Sequence, residues 1–323
     1  MYRFTLFVFS LLLLILVCAC EIGKYEYSDP ERISIVTTIY PLYDIISELG
    51  GEQVNITYLL PPGASPHTYE LTTEQARLVS NAELFVYIGA ELDQWAVKMA
   101  GNSDSGQTVL DLSREVPLLS REINGNSAHD PSEDMDHETE VDEGHHHNHG
   151  PVDPHYWLDP VLVRDYLAPA ITDALVSLSP ADEQYFLEQL ERYREELNKL
   201  DREIKAELAA YSVKKFITFH SAWHYFALRY NLEEVAVIAN FPGQEPSAGW
   251  MAELVKLVDE KKIKVIFAEP QFSSALAEQI AAESGIEVLL LDPIGGEGLG
   301  GRETYLDLMR YNLELFKKGF SEE

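Results

Sequence analysis

Three histidines far apart in the chain stand in settings that suit metal ligation. His67 follows a Pro-Pro-Gly turn, His155 lies between two prolines, and His220 ends the apolar run Phe216–Phe219. Neutral imidazole is the commonest protein ligand for metals, and three imidazoles with one oxygen donor form a tetrahedral zinc set. The sequence therefore predicts a function that depends on a divalent cation.

The first residues of the chain have the pattern of an export signal. Arg3 precedes an uncharged, mostly apolar run over residues 4–17, and the two cysteines, Cys18 and Cys20, follow it. We predict a lipoprotein-type signal peptide over residues 1–19, with Cys20 as the lipidated first residue of the mature chain and a tether over residues 20–31. The alternative is a transmembrane anchor, for which this run is short against the ~20 residues of a bilayer span.

The cysteine count and the charge limit the chemistry. With both cysteines in the predicted leader, neither a disulfide framework nor a thiolate metal site is expected, so any metal must use nitrogen and oxygen donors. The formal net charge of −30 argues against a nucleic-acid partner. It suits an exported protein that attracts cations, although solubility alone explains the many acids scattered along predicted helices.

One segment has almost no apolar material from which to build a core. Residues 129–150 contain eight Asp or Glu, no Lys or Arg, and six histidines: His129, His137, His145, His146, His147 and His149. Such a composition cannot bury enough surface to offset its ordering entropy. We predict a disordered insertion over residues 120–151 whose histidines capture metal at low affinity; the alternative is a solvated acidic loop.

On either side of the insertion, strand and helix patterns alternate, which predicts parallel sheets covered by helices. Apolar residues recur at intervals of three or four from Phe186 to Leu208 and predict one long amphipathic helix beside or between two lobes. We expect an N-terminal α/β lobe over residues 32–160, a linking helical region over 161–211 and a C-terminal α/β lobe over 212–323.

The strand ends point to further site residues. Ligands of open α/β sheets bind beyond the carboxyl ends of the strands, where His67, His220 and Asp292 are expected. Glu269 follows another predicted strand, and it either orients a ligand or is an ordinary acid at a helix start. His224 lies four residues after His220, on one face of a predicted helix, and we expect it to pack or support a ligand rather than to bind metal directly.

The chain resembles the metal-binding proteins of bacterial ABC importers for zinc and manganese, especially the zinc uptake group. The motifs that carry the resemblance are the His-rich insertion, Pro-Gly-Ala-Ser-Pro-His67-Thr-Tyr-Glu, Asp-Pro-His155-Tyr-Trp-Leu-Asp-Pro, Thr-Phe-His220-Ser-Ala-Trp and Leu291-Asp292-Pro-Ile-Gly. The resemblance implies two Rossmann-like lobes with parallel sheets joined by a long helix, and a metal site in the cleft between them. His67 and His155 would come from the first lobe, and His220 and Asp292 from the second.

The implied function is that of an extracytoplasmic solute-binding protein, not an enzyme. It would be a monomer, anchored to the membrane by lipid or periplasmic, that captures Zn(II) and delivers it to the permease of an ABC importer. Manganese-type relatives tend to use a carboxylate where this chain has His220, so nitrogen donors favour zinc over manganese. The fourth donor stays open between Asp292, Glu269 and water. The alternatives are an exported zinc hydrolase and a metal-binding surface adhesin on the same fold.

Overall fold

The computed structural model describes residues 32–100, 106–120, 152–239 and 246–321. This part of the chain forms two four-stranded parallel sheets, in agreement with the predicted fold class. The predicted leader with Cys20 lies outside the described residues, as do the six histidines of the acidic insertion. Every helix within the described ranges is too short or too polar to cross a lipid bilayer.

The first sheet has the strand order β2-β1-β3-β4. Its elements are β1 (Ile33–Thr37), α1 (Tyr40–Gly50), β2 (Val54–Tyr58), α2 (Thr73–Asn81), β3 (Leu84–Tyr87), α3 (Gln94–Val97) and β4 (Thr108–Asp111). All of β3 and most of β1 are buried, which is typical of central parallel strands covered on both faces. The short edge strand β4 was not predicted, because only two of its four residues, Val109 and Leu110, are apolar.

The sequence pattern predicts a helix from Leu92 to Ala100, and this prediction is mostly wrong, because α3 spans only four residues. Ala90 and Glu91 before it adopt positive φ angles of 47° and 67°. The Asp93 carboxylate accepts hydrogen bonds from the backbone N–H groups of Ile88 and Gly89 at 2.7 and 3.0 Å. This closed turn occupies the place where the first helical turn was expected.

A helical region links the two sheets. Its elements are α4 (Pro160–Leu162), a π-helical turn (Val163–Leu167), α5 (Ala168–Leu178) and α6 (Glu183–Leu208). The 26 residues of α6 give a rod of about 39 Å at the usual helical rise. All seven apolar positions predicted for its inner face are buried: Phe186, Leu190, Tyr193, Leu197, Leu200, Ile204 and Leu208.

The second sheet repeats the topology of the first, with the order β6-β5-β7-β8. Its elements are β5 (Lys215–Thr218), α7 (His224–Tyr230), β6 (Glu233–Val237), α8 (Ala248–Lys261), β7 (Val265–Ala268), α9 (Ala275–Ser284), β8 (Glu287–Leu290) and α10 (Tyr305–Phe320). The sequence patterns predict strands at residues 33–38, 54–60, 84–88, 216–219, 235–238, 265–268 and 288–291, and these agree with the observed strands to within two residues at each end.

One apolar core joins the two sheets. Buried residues of β1, β3, α6, β7 and α10 belong to the same continuous cluster. Direct hydrogen bonds add to this contact: the Trp157 indole N–H donates to the Pro293 carbonyl at 2.9 Å, and the Tyr305 hydroxyl donates to the Trp157 carbonyl at 2.8 Å. The carboxyl ends of the strands of both sheets therefore face each other across a closely packed boundary.

Candidate metal centre

Three buried imidazoles meet at this boundary. The ring centroids of His67, His155 and His220 lie 4.8–5.3 Å apart, and one ligand nitrogen from each lies within 4.8 Å of the other two. The three residues are between 1% and 5% exposed. Such convergence of neutral nitrogens leaves room for one small cation at their centre, and the structure thereby brings together the three histidines that the sequence singled out.

Nε2 of His220 is not satisfied by the described part of the protein. Nε2 of His155 lies 3.2 Å from Nε2 of His67, and Nε2 of His220 is buried with no hydrogen-bond partner among the described residues. Buried polar atoms in native proteins almost always have a partner. An ion bound at this centre would satisfy the His220 nitrogen.

The local structure around His67 starts from β2. Beyond the strand, the backbone N–H groups of Leu59 and Leu60 still donate to the first sheet at 3.0 and 2.9 Å. The Pro-Pro-Gly turn then directs the chain towards the second sheet. At its end, the Trp95 indole N–H donates to the Pro66 carbonyl at 2.7 Å, which fixes the backbone immediately before His67.

His155 is held by the aspartate two residues before it. Oδ1 of Asp153 accepts hydrogen bonds from the backbone N–H of His155 at 3.0 Å and from its ring Nδ1 at 2.8 Å. Asp153 was missed at the level of sequence, although an aspartate that binds the backbone two residues on is a common turn motif. The Asp-Pro-His order was therefore the signal that could have identified it.

His220 follows β5, and its ring is held from the neighbouring strand. Glu269 follows β7, which pairs with β5, and its Oε1 lies 3.1 Å from Nδ1 of His220. The position predicted for Glu269, close enough to orient a ligand, agrees with this contact. Glu234 of β6 accepts hydrogen bonds from the Thr218 and Ser221 hydroxyls, so carboxylates hold both the His220 ring and its backbone turn. Burial raises the pKa of Glu234 to about 7.

Two carboxylates thus set the electrostatics of the centre. Asp153 and Glu269 are 3% and 4% exposed, and each faces the Nδ1 atom of one histidine. A carboxylate at Nδ1 keeps the proton on that nitrogen and leaves Nε2 with a lone pair for the metal. The two negative charges balance the charge of a divalent cation without either carboxylate having to bind it.

Asp292 does not join the three histidines. The group of potential ligands in the described part of the chain excludes it. Its Oδ1 accepts hydrogen bonds from the backbone N–H groups of Ile294 and Gly295 at 3.0 and 3.1 Å, and its Oδ2 accepts one from Arg302 at 2.8 Å. Metal ligation by Asp292 would require breaking these buried contacts, so the structure does not support that expectation.

The expected placement of His224 on one helix face with His220 is wrong. The helix α7 begins only at His224, so His220 belongs to the preceding turn and the four-residue spacing has no helical meaning. His224 is also absent from the group of potential ligands in the described residues. Metal binding by the insertion histidines and lipidation of Cys20 concern residues outside the described part, and both stay predictions.

The walls of the cavity are largely apolar. Besides the histidines, its lining includes Trp157, Phe272, Pro293 and Ile294. The Trp157 ring lies 5.3 Å from that of His155, and the Phe272 ring lies 5.7 Å from that of His220. An apolar surrounding strengthens the attraction between the buried carboxylates and a bound cation, because the local dielectric constant is low.

Comparison with known proteins now identifies the family. Residues 35–319 match the model of the ZnuA family, described as zinc-uptake complex component A, periplasmic. The chain belongs to this family. It is 31% identical over 327 residues to the zinc-binding lipoprotein AdcA of Streptococcus pneumoniae, a match that covers all of this chain and 62% of AdcA. The chain therefore spans less than two thirds of the length of that relative.

Two further comparisons cover nearly whole proteins. The high-affinity zinc uptake system protein ZnuA of Bacillus subtilis is 29% identical, over 94% of this chain and 93% of its own length. The solved structure of the Zn(II)-bound ZnuA-like domain of Streptococcus pneumoniae AdcA has a TM-score of 0.70 and 28% identity, and the match covers 90% of this chain and all of that domain. The likeness supports the two-lobed fold.

Proposed function

We propose that this protein is the extracytoplasmic solute-binding component of an ABC importer, which captures Zn(II) and delivers it to the membrane permease. The observation that carries the proposal is the convergence of three buried imidazoles, two of them oriented by carboxylates. Three nitrogen donors suit zinc better than manganese, which prefers carboxylates and water. The family description and the names of the relatives support the same cargo.

In this proposal, His67, His155 and His220 replace three water molecules of the ion, and one water stays as the fourth ligand. Of the carboxylate oxygens near the centre, Glu269 Oε1 faces Nδ1 of His220, and both oxygens of Asp292 have other partners. Four-coordinate zinc with three histidines and one water is a familiar arrangement. It also leaves one exchangeable position through which the cargo can enter and leave.

Residues outside the described part complete the proposed assembly. Cys20 would carry a lipid that keeps the protein, as a monomer, beside its permease, and the insertion histidines would collect ions near the site. We also propose that the domains divide at residues 160 and 211, because the helical region between these positions separates the two sheets. An exported hydrolase is set aside, because the family is defined as an uptake component and not as an enzyme.

The test compares two histidines four residues apart. His220→Ala removes one of three metal ligands, and we expect zinc affinity to fall at least 100-fold in competition titration with a chromophoric chelator. His224→Ala is the matched control, because His224 lies on the same segment but outside the ligand group, and its affinity should stay at the wild-type value. Unchanged affinity in His220→Ala, or an equal loss in both variants, would contradict the proposal.

A second measurement tests delivery rather than binding. In a strain that lacks the gene for this protein, wild-type protein should restore zinc uptake at low external zinc. His220→Ala should not restore it, while His224→Ala should. Restoration of uptake by His220→Ala would mean that transport does not use this centre.

A further inference from the structure

The Tyr225 hydroxyl, in the second lobe, contacts the backbone just before His155, a proposed metal ligand from the first lobe. Tyr225 lies on α7 and is 3% exposed. Its hydroxyl oxygen accepts a hydrogen bond from the Leu119 backbone N–H at 2.8 Å, and its O–H donates to the Asp153 carbonyl at 3.1 Å. The bond to Asp153 is buried and the bond from Leu119 is partly buried, so the bond to Asp153 holds its partner more firmly than an exposed bond would.

The two backbone segments that Tyr225 contacts are paired with each other. Ser120 and Val152 form an isolated antiparallel bridge, and the Asp153 backbone N–H donates to the Leu119 carbonyl at 3.0 Å. The Tyr225 hydroxyl, which belongs to the second lobe, forms a hydrogen bond with each of the two paired segments. The Leu119 carbonyl therefore fixes the backbone N–H of Asp153, and the Tyr225 hydroxyl fixes its carbonyl.

Asp153 in turn controls His155. Its carboxylate holds both the backbone N–H and the ring Nδ1 of that histidine, so a shift of the Asp153 backbone would move the imidazole. We propose that Tyr225 is a positioning residue for the metal centre, which fixes the Asp153 backbone and, through it, the orientation of His155. This inference rests on the proposed zinc site and assigns a residue of the opposite lobe to its construction.

The chemistry of the phenol suits this task. Burial raises the pKa of Tyr225 to about 12, so the hydroxyl keeps its proton for the bond to the Asp153 carbonyl. The ring packs edge-on against Tyr156, with centroids 6.4 Å apart. Tyr225→Phe would therefore remove one hydroxyl and leave the packing of the ring in place.

We expect Tyr225→Phe to weaken zinc binding about 5-fold, less than the ~10–100-fold typical of a group that touches a metal ligand directly. The matched control is Tyr230→Phe. Tyr230 lies on the same helix, is similarly buried, and donates to Asp201 rather than to the site. Circular dichroism would verify that both variants are folded, and competition titration would give their affinities. Wild-type affinity in Tyr225→Phe, or an equal loss in Tyr230→Phe, would overturn the inference.

A double-mutant cycle separates positioning from a general effect on stability. If Tyr225 acts through Asp153, Tyr225→Phe should have no further effect on zinc affinity in an Asp153→Ala background. A full additional 5-fold loss there would show that Tyr225 acts by another route and would overturn the inference. His220→Ala shows which of the two proposals fails. If His220→Ala binds zinc normally, the proposed zinc site is wrong. If Tyr225→Phe binds zinc normally but His220→Ala does not, only the positioning role of Tyr225 is wrong.

Discussion

At the scale of single residues, the orientation of the imidazoles is the property that makes this centre a metal site. Glu269 lies 3.1 Å from Nδ1 of His220 and is almost fully buried. Its charge both stabilises the Nδ1 proton and balances the cation. The side chain therefore has an electrostatic role that a neutral acceptor cannot fully replace.

The substitution Glu269→Gln tests this role, because glutamine keeps the size and an oxygen acceptor but removes the charge. We expect zinc affinity to fall about 10-fold, measured by competition titration at low and at high salt. The loss should persist at high salt, because the pair is buried and weakly screened. Glu278→Gln, at an exposed glutamate on α9, is the control and should bind zinc normally. If Glu269→Gln did the same, the carboxylate would have no part in binding.

The structure brings together the three histidines that the sequence predicted as ligands. Prolines and strand ends fixed where His67, His155 and His220 could lie, and those constraints are local. The expectation for Asp292 failed because a strand end gives the neighbourhood of a side chain and not its direction. The Asp292 carboxylate is held by two backbone N–H groups and by Arg302, ten residues further on. No local sequence pattern predicts such contacts.

At the scale of elements, regular patterns were reliable and short irregular ones were not. The apolar spacing of α6 predicted its inner face in full, because a long helix repeats its signal many times. The four-residue α3 is too short for a helical period, β4 has only two apolar residues, and the start of α7 depends on the turn after β5. His224 was misplaced for that last reason.

Contacts between elements create a pH dependence that the sequence did not predict. Asp44 on α1 accepts a hydrogen bond from the Tyr305 backbone N–H, at the start of α10, at 2.7 Å. Burial raises the pKa of Asp44 from 3.8 to about 6. The folded state therefore binds a proton that the unfolded chain releases near pH 4. The contribution of Asp44 to stability falls as pH rises from about 4 to 6, by about 2–3 kcal/mol.

Asp44→Asn should remove this loss, because the amide has an oxygen acceptor but no charge. We expect the free energy of unfolding of the variant, relative to the wild type, to increase between pH 4 and pH 6 and to stay constant above that. Urea denaturation of the metal-free proteins at several pH values measures the difference. Asp173→Asn, at an exposed position on α5, is the matched control for the replacement of an aspartate by asparagine. A flat profile for Asp44→Asn would contradict the buried, protonated carboxyl.

At the scale of the whole molecule, the two lobes behave as one packed body. The core cluster that contains β1 and β3 also contains α6, β7 and α10, so neither sheet can expose its inner face without disturbing the other. The proposed zinc centre would add ligands from both lobes, His67 and His155 on one side and His220 on the other. Unfolding of either lobe would therefore break the shared core and release the ion together.

We therefore expect a single cooperative thermal transition, and zinc should raise its Tm without splitting it into two. Tryptophan fluorescence, to which Trp95 of the first lobe and Trp250 of the second contribute, should therefore give the same transition as calorimetry. Ligand binding to the native state alone stabilises by about 4 kcal/mol at a thousandfold excess over the dissociation constant, so zinc should raise the Tm from both measurements equally. In His220→Ala the same zinc addition should leave the Tm almost unchanged. Two separate transitions, or a shift confined to one measurement, would mean that the lobes fold independently and that the centre does not join them.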